Sequence, residues 1–380
     1  MIRRPSPTAL RLAAFYAAFF VVIGVIQPFW PLWLAAQRLD PTEIGVVLAI
    51  GVGTKVIGLP IAAHLADRSG ERRRPMLRLA GISVLSFALF AFAHDFWPIV
   101  LVSLLFFSLW PPVMSLGESL TVMAAQRDGF EYGRVRLWGS LAYIAAALAA
   151  GAVLARVPAD AVYWMTFGGV ALTALICTAL PDLKARPSRL HRLPILAALR
   201  QRPLVLLLIA CGLIQGSHAV YYAFATLHWR ALGYSEALIG ALWAEGVLCE
   251  VALFAAGAWA VRRCGAGGLI VLAGIAGAVR WLGTGLIESL PALVVLQALH
   301  GLSFGAAHLG AMHWMGRNVD PALSATAQSL YGAIVFGLFL GALLYAAGVL
   351  YARFAGGAFL PMAAVGLTGA LIGLPLMRGR

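Results

Sequence analysis

Acidic residues are scarce in this chain. Only 15 of its 380 residues are Asp or Glu, and Asp, Glu, Lys and Arg together make up 11%. Soluble domains carry about 25% charged residues, so a water-facing surface of ordinary polarity is excluded. Cysteine is rare as well: Cys177, Cys211 and Cys249 lie inside apolar runs and Cys264 at the end of one. Their spacing fits neither a disulfide framework nor a metal site, which leaves them as small apolar packing residues. The chain also lacks a His-Glu-x-x-His pair, a Gly-x-Ser-x-Gly turn and a phosphate loop. Without these signatures neither an intramembrane enzyme nor ATP-driven transport is expected, and no catalytic residue or metal ligand is assigned.

What fills the chain instead is apolar, at 62% of residues. Membrane-crossing helices need about 20 consecutive, mostly apolar residues. Breaks at charged, Pro and Gly clusters leave twelve such runs: 11–36, 43–66, 76–94, 97–125, 134–155, 160–180, 204–229, 235–261, 267–287, 291–315, 322–348 and 356–377. The first follows Arg3, Arg4 and Arg11 but is too long for a signal-peptide core, and apolar runs continue after it, so it is read as the first span. An all-α membrane protein of twelve transmembrane helices is expected.

The net charge of +13 sits in short clusters between these runs. That placement suits anionic lipid headgroups and topology control rather than nucleic acid. With the N-terminus inside, 21 of the 28 Lys and Arg residues fall in inside loops and ends. Four, Arg38, Arg156, Arg230 and Arg353, fall outside, and Lys55, Arg136 and Arg280 lie within spans. The bias places both termini in the cytoplasm.

The longest polar stretch, 182–203, divides the chain into two six-helix bundles, 1–181 and 204–380, joined by a cytoplasmic loop. The halves echo each other at an offset of about 195 residues. Thr42-Glu43-Ile44-Gly45 opens the second span, and Ser235-Glu236 with Ile239-Gly240 opens the eighth. Ala66-Asp67-Arg68-Ser69-Gly70 closes the second, and Val261-Arg262-Arg263-Cys264-Gly265 closes the eighth. Repeated halves of this kind place a substrate site near the bilayer midplane between them.

Ionisable side chains at span depth cost about 2.5–3.5 kcal/mol each on insertion scales and therefore mark candidate sites. The set is Lys55, Glu118, Arg136, Glu245, Glu250 and Arg280, with His218, His300 and His308. Lys55 has no acid within one helical turn. It is read as a cationic anchor for a substrate carboxylate, the alternative being a structural pair. Glu118 and Arg136 are expected to pair across spans four and five. Glu245 and Glu250, five residues apart, cannot face one point; Glu250, the deeper, is read as a proton carrier or a partner of Arg280. Glu245 is left between a site role and a polar contact. His300 titrates in a useful range or packs as an ordinary helix histidine. Three cations stand against three anions, so a proton taken up by Glu250 leaves the set net positive and favours an anionic substrate.

The motifs resemble a known family. The segment Asp67-Arg68-Ser69-Gly70-Glu71-Arg72-Arg73 is similar to the loop signature of the major facilitator superfamily. Asp67, Arg68, Gly70 and Arg72 are its conformational residues, although Ala63 stands where the family has Gly. The spacing of Glu118 and Glu131-Tyr132-Gly133-Arg134-Val135-Arg136-Leu137-Trp138-Gly139-Ser140 resembles lactose permease and, more closely, the phenylpropionate permease branch. So do Val279-Arg280, Leu299-His300 and Ser324-Ala325-Thr326. Where lactose permease has its proton-carrying glutamate, this chain has Ser303, and Gln297 and Phe336 stand at or near its lysines. The resemblance implies a major facilitator fold and a secondary transporter driven by a proton gradient, with no bound cofactor. Its cargo is expected to be a small organic anion such as an aromatic carboxylate, taken up by symport. Lys55, Glu118, Arg136, Tyr143 and Trp110 are expected to bind it, and Glu250, Arg280, His300 and Glu245 to couple it to protons. A monomer in the bacterial inner membrane is expected. A sugar or nucleoside permease, or an efflux carrier, is the alternative. Span five lacks the Gly-Pro pattern common in antiporters, which weighs against exchange.

Overall fold

The structure, a computed structural model, describes residues 6–184, 194–320 and 323–378. The side chains of 63–69, 194, 325 and 378 lie outside that description. Asp67 and Arg68 are therefore placed only as helix positions, and Arg3, Arg4, Arg186, Arg189, Arg192 and Arg380 fall outside it entirely.

Among the described residues the chain is helical, with a single isolated β-bridge between Glu71 and Lys184. In order the helices are α1 (Pro7–Ala36), α2 (Pro41–Gly53), α3 (Lys55–Ser69), α4 (Arg73–Ala88), α5 (Phe96–Asp128), α6 (Tyr132–Leu154) and α7 (Ala161–Cys177). Then come α8 (Pro194–Leu199), α9 (Arg202–Gly216), α10 (Ala219–Ala231), α11 (Glu236–Ala255), α12 (Gly257–Leu286) and α13 (Leu290–Ala298). The last are α14 (Ala307–Asn318), α15 (Ser324–Ala333), α16 (Leu340–Phe354) and α17 (Phe359–Gly373). Among the described residues, ten stretches are long and apolar enough to cross a membrane, and Ala161–Cys177 is a shorter apolar helix. One of the ten, Thr326–Met377, has 52 residues, more than twice the length one crossing requires.

Local chemistry sets the helix ends. Asp40 caps α2 through a reciprocal box: its carboxylate accepts from the Glu43 N–H, and the Glu43 carboxylate accepts from the Asp40 N–H, both at 2.9 Å. Pro41 occupies the first helical turn, where its missing N–H costs nothing. Gly129, at φ 71°, ends α5 in the left-handed conformation.

The repeat is written into the backbone. Gly70 turns the chain at φ 68°, and Gly265, its equivalent, breaks the run Gly257–Leu286 at φ 69°. The second equivalent pair, Gly45 and Gly240, forms close helix crossings. A Cβ on Gly45 would stand 2.8 Å from the Gly348 Cα. One on Gly240 would stand 3.3 Å from the Gly151 Cα and closer still to the Ala147 carbonyl oxygen. Each crossing brings two glycines face to face, where any side chain would hold the helices apart.

By internal contacts the described residues form two units. The first draws on Met1–Arg38, Ile57–Leu190 and Ser235–Gly240, the second on Leu39–Val56, His191–Tyr234 and Ala241–Arg380. The core of the first is aromatic: Trp30, Phe87, Phe90, Phe106 and Trp110 are buried against one another. The core of the second is built largely from Ala and Leu, and α12 meets α17 at Gly274, whose Cβ would fall 2.7 Å from the Gly366 carbonyl.

The second span stands where it is expected, with Lys55 inside it: Pro41–Ala62 is one stretch long and apolar enough to cross a membrane. It is interrupted between α2 and α3 by a one-residue turn at Thr54, which keeps α-helical dihedrals (φ −57°, ψ −25°). The Thr54 hydroxyl donates to the Gly51 carbonyl at 2.8 Å, Gly51 and Gly53 are poor helix formers, and Pro60 cannot donate back to Val56.

Candidate functional site

In the first unit, α5 carries Glu118 and α6 carries Arg136. The expected pair forms, with Arg136 Nε 3.6 Å from Glu118 Oε1, and both side chains are partly exposed, at 29% and 44%. The guanidinium lies over Phe20, 4.2 Å from the ring centre, and 5.3 Å from the centre of Tyr16. Sequence reasoning missed these two α1 residues. Their spacing of four, which puts both on one helix face, was the available signal. Trp110 and Tyr143, expected to touch substrate, are both buried. Trp110 stacks on Phe19 with ring centres 4.5 Å apart, and the Tyr143 carbonyl lies where a Cβ on Gly24 would collide, at 2.7 Å.

The loop motif ties helix ends together within the same unit. Gly70 makes the turn. Arg72 is buried, and its Nε donates to Ser119 Oγ at 3.0 Å, one residue after Glu118. Arg73 donates to the Thr178 carbonyl. Glu71 holds Arg74 at 3.0 Å and Lys184 at 3.4 Å. The loop acid seen pairing with basic residues is thus Glu71.

In the second unit, Arg280 of α12 is the centre. It is fully buried. Nη1 donates to His300 Nδ1 at 2.9 Å and to Ser303 Oγ at 3.4 Å, and Nη2 donates to Gln297 Oε1 at 2.6 Å. The Tyr221 and Trp281 ring centres lie 4.4 and 4.5 Å from its guanidinium carbon. No carboxylate stands within 4.0 Å of it among the described residues. Glu250, expected as a proton carrier or a partner of Arg280, approaches His300 Nε2 at 3.8 Å, with the imidazole between it and the arginine. Glycines allow this approach: a Cβ on Gly246 would stand 3.3 Å from His300 Cβ, and one on Gly301 2.7 Å from the Cys249 carbonyl.

Donor and acceptor roles follow from chemistry. Arginine only donates, so His300 Nδ1 accepts and a neutral ring carries its proton on Nε2, toward Glu250. A carbonyl only accepts, so His218 Nδ1, 3.2 Å from the Ile214 carbonyl, donates. In the neutral ring, His218 Nε2 then accepts from Ser303 Oγ at 3.2 Å. Trp281 Nε1 donates to Ser217 Oγ at 2.9 Å. Arg280 therefore heads two hydrogen-bonded arms, one through Ser303 to His218 and one through His300 toward Glu250.

Backbone irregularity shapes this centre. Residues Gly301–Ala306 form a π-helical turn, a feature that recurs at functional sites. Gln215 Nε2 donates to the Phe304 carbonyl within it, at 3.1 Å. The wider turn brings residues four apart into a column. His300 and Phe304 stack at 5.3 Å and 13°, and Phe304 and His308 at 6.5 Å and 10°.

Lys55, on the segment grouped with the second unit, enters none of the ion pairs found among the described residues, and neither does Glu245, half-buried on α11. A Cβ on Gly53, beside Lys55, would meet nothing within 4 Å.

Comparison with known proteins gives a consistent picture. A profile of the MFS_1 like family matches residues 9–360. A probable 3-phenylpropionic acid transporter of Escherichia coli (strain K12) is 32% identical over 364 residues, 94% of each chain. The maltose permease of Geobacillus stearothermophilus is 27% identical over 327 residues, 85% of this chain and 83% of that one. Among solved structures, the nucleoside transporter NupG superposes with a TM-score of 0.80 at 16% identity, covering 98% of both chains.

Proposed function

We propose a function from one premise: this chain belongs to the MFS_1 like family, whose matched relatives are membrane transporters. It is a multi-pass secondary transporter with the major facilitator fold, and not an enzyme. Beyond that premise, it imports a small organic anion, an aromatic carboxylate of the 3-phenylpropionate type, together with protons. It works in the bacterial inner membrane with both termini in the cytoplasm, as the distribution of Lys and Arg supports.

One observation carries the anionic cargo. Arg280 is a fully buried cation whose hydrogen-bond partners are all neutral, the acid it feels, Glu245, standing beyond 4.0 Å. A buried charge with no counter-ion in contact costs several kcal/mol, and a ligand of opposite charge repays it. The aromatic side chains beside it suit a ring-bearing acid. Tyr221 and Trp281 both lie against the guanidinium, and Trp243 stacks on Tyr221 with centres 4.3 Å apart. Glu250, half-buried and facing His300 Nε2, is the coupling carboxylate: it takes a proton from one side of the membrane and loses it to the other.

Uptake by purified protein in vesicles tests the reading. Labelled 3-phenylpropionate is expected to accumulate under an inward proton gradient and to stop accumulating when an ionophore collapses it. Uptake indifferent to the ionophore would remove proton coupling.

A second reading keeps the fold and changes the cargo. The half-exposed Glu118–Arg136 pair over Phe20 could bind hydroxyl groups and stack against a sugar or base, and a maltose permease is among the relatives. Tight binding of a neutral sugar or nucleoside, together with no binding of carboxylates, would favour it.

A further inference from the structure

We propose that one edge of the Arg280 guanidinium, formed by Nε and Nη2, is the subsite for the substrate's carboxylate. The Gln297 amide is the resident group that the carboxylate displaces. The inference rests on the reading of the cargo as an organic anion.

A guanidinium offers five N–H donors in a fixed plane. The Nη1 side of Arg280 is committed to His300 and Ser303. The edge formed by Nε and Nη2 is one that meets a carboxylate with two parallel hydrogen bonds. Here it is half used: Nη2 donates to Gln297 Oε1 at 2.6 Å, while Nε, buried, donates to nothing. Gln297 Nε2 is also buried without a hydrogen-bond partner. Both residues are fully buried, and buried donors are almost always satisfied. Two orphaned donors on two touching side chains therefore describe a place that lacks an acceptor. A single amide oxygen meets one donor of the edge; a carboxylate has an oxygen for each.

The surroundings favour an incoming carboxylate over a resident one. No described acid stands within 4.0 Å of the guanidinium. The Tyr221 and Trp281 ring centres lie 4.4 and 4.5 Å from the guanidinium carbon and 5.8 Å from each other, so both rings crowd one side of the group, and Trp281 is itself anchored through Nε1 to Ser217. With the rings on one side and Nη1 committed, the unmatched donors are Nε of Arg280 and Nε2 of Gln297. A purely structural arginine, buried and permanent, would be expected to satisfy Nε within the protein.

The full-length protein in detergent, titrated with 3-phenylpropionate and with its neutral amide, tests the assignment. Quenching of Trp281 and Trp243 fluorescence provides a signal and calorimetry a check. The wild type should bind the acid at least about tenfold more tightly than the amide. Gln297→Glu supplies an internal carboxylate to the same edge. It should lower affinity for the acid by about 30-fold or more, leave the amide unchanged, and keep or raise the unfolding temperature. Gln297→Met removes the resident amide without replacing it and should tighten acid binding several-fold. A folded Gln297→Glu protein that binds the acid as the wild type does overturns the subsite while the cargo reading stands. If Gln297→Glu fails to fold, unchanged or weaker acid binding by Gln297→Met overturns it instead. A wild type that binds no carboxylate overturns the cargo reading, and the subsite falls with it.

Discussion

Arg136 in the first unit and Arg280 in the second both rest on aromatic rings, and the likeness ends there. Arg136 is partly exposed and has Glu118 beside it. Arg280 is sealed, and its partners are an imidazole, a hydroxyl and an amide. A partly exposed pair such as the first contributes about 0–1 kcal/mol and carries no net charge. The second is a charge held in a place that disfavours it. The scaffolds behave in the opposite way: Gly45 and Gly240, and Gly70 and Gly265, do the same work at equivalent positions. The repeat preserved its helix crossings and turns, while the chemistry of each half went its own way.

The contrast can be broken most forcefully at Arg280. Arg280→Met is expected to reduce vesicle uptake of the organic anion by at least about 100-fold, roughly 2.7 kcal/mol. The unfolding temperature should move by only a few degrees, because the lost hydrogen bonds are offset by a relieved desolvation cost. Collapse of the fold in this variant would make Arg280 a structural cation. The likeness between the scaffolds is sharpened at the glycines. Gly45→Ala and Gly240→Ala should each destabilise by about 1–3 kcal/mol in chemical denaturation, since both drive a methyl into a neighbouring helix. Gly81→Ala, in α4 with nothing within 4 Å of a Cβ, should instead gain a fraction of a kcal/mol. Unequal costs at Gly45 and Gly240 would show that the crossings are not equivalent.

Glu118→Gln comes next. It should lower uptake about tenfold and change stability by less than about 1 kcal/mol, because Arg136 keeps its water and its Phe20 face. A loss of stability beyond that would show that the first arginine depends on its counter-ion after all. Smallest of all, Arg134→Ala breaks a pair with Glu131 that is 82% and 71% exposed. It should leave both uptake and stability within experimental error.

Apolar runs and basic clusters made the spans legible because both are local properties of the chain. The repeat was legible through Gly70 and Gly265, whose positive φ turns tolerate glycine best. Glu118 and Arg136 were legible through a familiar spacing. The one-residue turn at Thr54 was not, because hydropathy runs on across it when the flanking residues stay apolar. The Arg280–Gln297 bond joins α12 to α13 across a turn, and no periodicity links the two positions. The π turn was invisible for a related reason: it changes the hydrogen-bonding register without changing which residues are greasy. Tyr16 and Phe20 had a signal, but one shared with every aromatic pair on a buried helix face.

A π turn holds one residue more than an α-helix spanning the same path. At Gly301–Ala306 it therefore acts as a length marker as well as a shape. A relative with one residue fewer between His300 and His308 would still cross the membrane and still look apolar throughout. The turn would close into an ordinary α-helix with both flanks in register, and only the side chains within it would be re-aimed, so the column His300, Phe304, His308 would come apart. In an alignment of such chains, a one-residue gap at this point would separate lineages with different chemistry in the second unit more sharply than many substitutions elsewhere.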